Sequence, residues 1–195
     1  MNKPISLKGK AMYYNRPLPL AEHFIPLIGD KKAVKIADIG SGPFPITGQY
    51  LEGVKVEMHH CDKNDFKEFW QKYGLTPLYP IEHQDMERLT YPDNSFDIVN
   101  CVNALDHSID ALEALKEMLR VVKPGGWVYI DCALYQRSDQ RKKHYWDALE
   151  DGTFVNNSEQ FDLKNFGFSI EFIDNHGQRQ YNHIIAKHKK TTSDA

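Results

Sequence analysis

The chain has 195 residues, enough to bury one hydrophobic core, and its apolar and charged fractions (41% and 26%) are ordinary for a soluble globular protein. A formal net charge of −3 gives no global basic field to attract nucleic acid or anionic lipid. No apolar run approaches bilayer length, and the N-terminus MNKPISLKGK lacks the apolar stretch of a secretory leader, so a cytoplasmic location is expected.

A single domain is expected. Its N-terminal segment, 1–33, covers the site; its α/β core runs over 34–188, and a frayed tail over 189–195. Val34 to Ile39 reads as the first strand, a continuous apolar run ending in an acid and a glycine turn. Pro43 and Pro45 suit the entry of a short helix over 46–51, with Gly53 at its exit. Val56 to Cys61 is a second strand ending at Asp62, and 66–73 is helical, closed by Gly74. Leu78 to His83 is a weaker strand because Pro80 removes a donor.

The turn 92–95 introduces a fourth strand, Phe96 to Val102. The helix over 109–122 places Leu112, Leu115, Leu119 and Val122 on one face, with Ser108 as N-cap and Pro124-Gly125-Gly126 as its stop. Trp127 to Ala133 is the fifth strand. A charged helix is expected over 138–149, then two strands, 168–173 and 181–186, joined antiparallel, and a polar tail from Lys187. Alternation of this kind gives a Rossmann-like, doubly wound, mostly parallel sheet ending in an antiparallel hairpin. Cys61, Cys101 and Cys132 form no C-x-x-C pair and read as reduced, buried thiols.

The chemistry starts at the first strand's end. Gly40 and Gly42 can adopt backbone angles closed to other residues, so a loop can approach a ligand at the strand's carboxyl end. Asp38-Ile39-Gly40-Ser41-Gly42-Pro43 resembles the first motif of class I S-adenosylmethionine-dependent methyltransferases. Asp62, 20 residues after Gly42 and followed by Lys63, is similar to the acid that holds the ribose hydroxyls. Asp85-Met86 resembles the pair beside the adenine. Ser95 to Val99 followed by Asn103-Ala104-Leu105-Asp106-His107 resembles the fourth-strand motif, and Leu119 to Gly126 the turn into the fifth strand. The resemblance implies a seven-stranded sheet, S-adenosylmethionine as cofactor and S-adenosylhomocysteine as product. It also implies cofactor contacts from Asp38, Gly40, Ser41, Gly42, Asp62, Lys63, Asp85, Met86, Asn103 and Ala104. Tyr13 or Arg16, in the N-terminal segment, would meet the cofactor carboxylate by charge.

Two other classes compete. A nicotinamide dehydrogenase shares the fold and the second-strand acid, but its fingerprint needs glycine where Pro45 stands. The other is a degenerate, non-catalytic cofactor-binding module that supports a partner subunit, and intact Asp38, Gly40, Asp62 and Asp85 speak against degeneration. No proline-rich amino-methylating motif, Pro-Cys nucleophile or RNA-binding module is present, so an oxygen or nitrogen of a small-molecule or glycan-type acceptor is expected. His107 is the expected base, with Asp106 orienting it or acting in its place. The stretch His144-Tyr145-Trp146 is expected to cover the acceptor. No metal constellation is visible: His59 and His60 alternate across a strand.

Overall fold

Alternation along the first strand, β1 (Ala33–Ile39), sets the architecture. Val34 and Ile36 belong to one buried cluster, Ala37 and Ile39 to another on the opposite side. A strand buried on both faces must be central and covered twice. The computed structural model describes residues 17–44, 47–74, 79–135, 144–174 and 182–191.

The further strands are β2 (Lys55–Asp62), β3 (Ile81–His83), β4 (Phe96–Val102), β5 (Val122–Ala133), β6 (Asp147–Ala148), β7 (Thr153–Val155), β8 (Gln160–Asp162), β9 (Ser169–Ile173) and β10 (His183–Lys189). Seven of them make one sheet in the order β3-β2-β1-β4-β5-β10-β9. The first five run parallel, and β10 is antiparallel to both its neighbours. This is the expected Rossmann-like sheet with its antiparallel C-terminal pair. The three short strands β6-β7-β8 form a second sheet that the sequence reading did not include.

Leu20 and Phe24, with Leu27 and Ile28 of helix α1 (Ile25–Ile28), pack on Val34, Ile36, Ile98 and Tyr129. A second helix, α2 (Lys67–Lys72), follows β2. The opposite face of the sheet is covered by helix α3 (Ala111–Val121), which buries Ala111, Ala114, Leu115, Met118 and Val121.

Several expectations shift. Over the described residues 47–51 the chain is bridged, not helical. Gly48 lies so close to Pro19 that a Cβ would stand 2.0 Å from its carbonyl oxygen, and Leu20 N–H donates to Tyr50 O at 2.8 Å. The cap of α3 is Asp110, which accepts from Glu113 N–H at 2.9 Å; Ser108 instead donates to Leu105 O. Leu112 and Leu119 are only partly buried, and Val122 already belongs to β5. Pro124-Gly125-Gly126 is therefore a bulge inside the β4–β5 ladder rather than a stop before it. No helix forms over the described residues 144–149, where β6 pairs with β7. The tail is not frayed at 187–190: β10 runs to Lys189, and the buried Lys190 ammonium donates to Asn94 Oδ1, Leu119 O and Val122 O. A cation there satisfies orphan carbonyls at the helix C-terminus.

Two charged groups tie the elements together. Arg120 donates to Leu89 O and Tyr91 O and pairs with Glu117 and Asp93, clamping the loop between β3 and β4 onto α3. Asp97 gathers Lys31 Nζ at 2.8 Å, Lys35 N–H at 3.0 Å and Lys123 Nζ at 3.0 Å. Burial alone would push the Asp97 carboxyl up; the two ammonium groups and the N–H outweigh it and hold it at about 2. Asp97→Asn is expected to cost about 1–2 kcal/mol at pH 7, after discounting for partly exposed lysines. The folded value lies below the unfolded one, so this stabilisation is present above the ordinary value of 3.8 and is lost as pH falls through about 2. Urea melts should separate the two proteins at neutral pH and converge in strong acid.

Candidate functional site

Parallel register places His60 and Asn100 on either side of Asp38, on strands β2 and β4. The buried Asp38 carboxylate accepts from Thr47 Oγ1 at 2.7 Å, Asn100 Nδ2 at 2.8 Å and His60 Nδ1 at 3.1 Å. Asn100 Oδ1 then meets Nε2 of His23, which stacks on Tyr129 at 4.3 Å. Burial lowers the His23 imidazole below its ordinary value, against the opposing bond from Asn100. Asp38 thus faces the interior beneath the loop and is absent from the cavity wall.

The loop itself leaves β1 at Gly40. Gly40 and Ser41 N–H both donate to Cys61 O, at 2.9 and 3.0 Å, which ties the loop to β2. Gly40 has φ +71, and a Cβ there would stand 2.4 Å from Ala104 Cβ and 3.3 Å from Met86 Cε. Gly42 has φ +65 with open space around it. Its N–H donates to Asp62 Oδ2 at 3.0 Å, while Asn64 N and Nδ2 both reach Asp62 Oδ1 at 2.8 Å. A carboxylate offers about four lone-pair directions, so three donors leave Asp62 one acceptor direction.

These elements surround a cavity of about 470 Å³ at the carboxyl ends of β1, β2 and β4. Of the residues expected from sequence, Gly40, Gly42, Asp62, Lys63, Met86, Asn103, Ala104 and His107 line it. Lys63 also donates to His107 O at 3.2 Å, and Asn103 holds a left-handed φ of 49 while accepting from Ala133 N–H. Ser41 and Asp85 are not on the wall; the exposed Asp85 accepts from Glu87 N–H in its own turn. Its neighbour Gln84 lines the cavity instead, with Asn64, Phe66 and Tyr145. Sequence reasoning missed Asn64, Phe66 and Gln84; the Asp-x-Asn turn at 62–64 is the one local signal for them. Tyr13 and Arg16 lie outside the described residues.

The expected pairing of Asp106 with His107 does not form. Asp106 Oδ2 meets Nδ1 of His144, and the His144 ring lies 4.2 Å from that of His107. Both Tyr145 and Trp146 N–H donate to Asp106 O, and Trp146 Nε1 to Ile109 O, so β4's loop and the strand leading to the small sheet are bonded together. His107 lines the cavity, with His144 and Asp106 behind it. The three thiols are buried, and burial pushes Cys61 up to about 12, so it has no nucleophilic thiolate at neutral pH.

A family model described as a methyltransferase domain matches residues 37–130. A sterol 24-C-methyltransferase of Aspergillus fumigatus is 27% identical over 164 residues, 76% of this chain and 44% of that protein. A ubiquinone/menaquinone biosynthesis C-methyltransferase of Idiomarina loihiensis is 31% identical over 109 residues, 52% of this chain and 43% of that protein. The chain thus spans under half the length of either curated relative. A solved S-adenosylmethionine-dependent methyltransferase of Methanosarcina mazei shares the fold, with a TM-score of 0.53, 15% identity, and coverage of 89% of this chain and 99% of that one.

The geometry separates the two loop glycines. Gly40→Ala drives a methyl group into Ala104 and should abolish S-adenosylhomocysteine binding in a calorimetric titration. Gly42→Ala meets no atom and should lose only the roughly 1–2 kcal/mol of a left-handed backbone.

Proposed function

We propose that the chain is a class I S-adenosylmethionine-dependent methyltransferase and that it methylates a carbon of a small-molecule acceptor. The observation that carries this reading is the cavity where a close-approach glycine loop, an acidic oxygen and the apolar Met86–Ala104 surface meet. The fit to the cofactor rests on those groups. The Asp62 acceptor direction suits a ribose hydroxyl, and a carboxylate there makes charge-assisted bonds. Met86 and Ala104 offer apolar surface to a base, with the Gln84 side chain beside them. The volume lies within the ordinary range for small-molecule sites, about 300–1,000 Å³.

S-adenosylmethionine, when bound, supplies an electrophilic methyl group on a sulfonium. The chain's own residues position the acceptor, exclude water and receive its proton. Tyr145, Phe66 and Pro43 give the cavity apolar and aromatic wall, suited to an acceptor with a hydrocarbon skeleton. Asp106, His107 and His144 make the proton-accepting end, with His107 on the wall. Positioning alone accounts for up to about 7–11 kcal/mol of such a barrier. The names of the curated relatives support carbon as the methylated atom, in place of the expected oxygen or nitrogen of a glycan-type acceptor.

Calorimetry with S-adenosylhomocysteine tests the cofactor site: one molecule should bind per chain, and Asp62→Ala should weaken it by about 1.5–3 kcal/mol. Absence of binding by the parent chain would overturn the reading. Methyl-labelled cofactor and a panel of lipophilic small molecules, with the labelled position located by fragmentation, test the acceptor. With an acceptor in hand, His107→Ala should cut turnover while leaving S-adenosylhomocysteine affinity unchanged.

A further inference from the structure

The acceptor end holds an electrostatic anomaly. Asp106 and His144 have side chains only 3% and 6% exposed, and they bond each other through one atom apiece. Their remaining polar atoms, Asp106 Oδ1 and His144 Nε2, are buried with no hydrogen-bond partner. A buried orphan costs about 1–3 kcal/mol, so a contacting pair that leaves two of them gains by turning onto a ligand. His107 lies against the same pair. One donor atom from each of Asp106, His107 and His144 falls within 4.8 Å of the others.

We propose that Asp106, His107 and His144 bind one divalent first-row transition ion of the zinc type. Two imidazoles and a carboxylate form a borderline donor set, which favours zinc, cobalt or iron over magnesium and calcium, whose sites are built of oxygen. Ligand distances for such an ion are about 2.0–2.2 Å, so donors around it stand roughly 3.5 Å apart and the three would close in by up to about an ångström to share it. The ion would take the place of the Asp106–His144 hydrogen bond, because a carboxylate that holds one imidazole nitrogen cannot also reach an ion on the other. Three protein ligands leave a coordination position open, and His107 is the ligand that reaches the cavity wall. With the ion bound, His107 would be a ligand rather than a free base, and the ion would instead polarise an oxygen attached to the acceptor carbon.

The ion-binding claim stands on the three side chains. Only the link to the acceptor rests on the methyltransferase reading. Titration of chelator-stripped protein with Co²⁺, followed by its visible d–d absorption, tests it. One Co²⁺ per chain is expected, displaced by Zn²⁺. His107→Ala, His144→Ala and Asp106→Asn should each weaken binding by at least the roughly 10–100-fold that loss of an outer partner already costs. His59→Ala, which removes a half-buried histidine beside Glu57 and Glu82, should leave the titration unchanged. Absence of Co²⁺ bands, or bands that survive both His107→Ala and His144→Ala, would overturn the proposal. His107 is only partly buried, so its variant remains informative if those at the buried positions unfold. S-adenosylhomocysteine titrated into the same stripped protein separates the two ideas: binding without Co²⁺ uptake refutes the metal alone.

Discussion

Asp38 sits where three parallel strands must be held in register under a loop with no regular structure of its own. Its carboxylate takes hydrogen bonds from β2, from β4 and from the segment after the loop. Each donor is buried or nearly so, and none can find water if the carboxylate is removed. That mutual dependence is what fixes the exit direction of β1. Gly40 then bonds to Cys61 O, Gly42 to Asp62, and the cavity takes its shape from these two attachments. The acid at the end of the first strand thereby acts on the cavity through the loop it holds rather than by direct contact.

The acceptor end is built differently, from parts far apart in the chain. Asp106 follows β4, while His144 precedes β6. They meet because the backbone of 145–146 hydrogen-bonds to Asp106 O and because Trp146 is buried against Phe161. The small sheet β6-β7-β8 holds this strand in place: Ala148 bridges Leu134 at the end of β5 and pairs with Phe154. Hydrophobic packing of Trp146, Phe154 and Phe161 thus delivers a histidine to a carboxylate. The same packing removes water from the pair and leaves their outer polar atoms without partners. Burial of this kind is costly unless a ligand compensates it.

How legible this was in the sequence depends on the range of the interaction concerned. Strand periodicity and glycine placement are local, so β1, β2, β4 and the order of the core elements could be read directly. Asp62 was legible because it ends the strand that follows the glycine loop, and parallel pairing of β2 with β1 brings that end beside the loop. The Pro-Gly-Gly stretch, the described residues 47–51 and the tail at 187–190 were misread for one reason: their conformations are set by partners elsewhere. Gly48 packs on Pro19, Gly125 N–H donates to Lys190 O, and Lys190 inserts under the end of α3.

By itself the sequence determined the sheet, its parallel core, the close-approach loop and the acids at the strand tips, because side-chain alternation and glycine's backbone freedom are properties of a few consecutive residues. Only the tertiary structure decided that Asp38 is consumed in the interior, that Gln84 rather than Asp85 faces the cavity, and that Asp106 partners His144 instead of the adjacent His107. Those outcomes follow from which buried polar atoms can reach one another in space, and neither spacing nor composition encodes that distance.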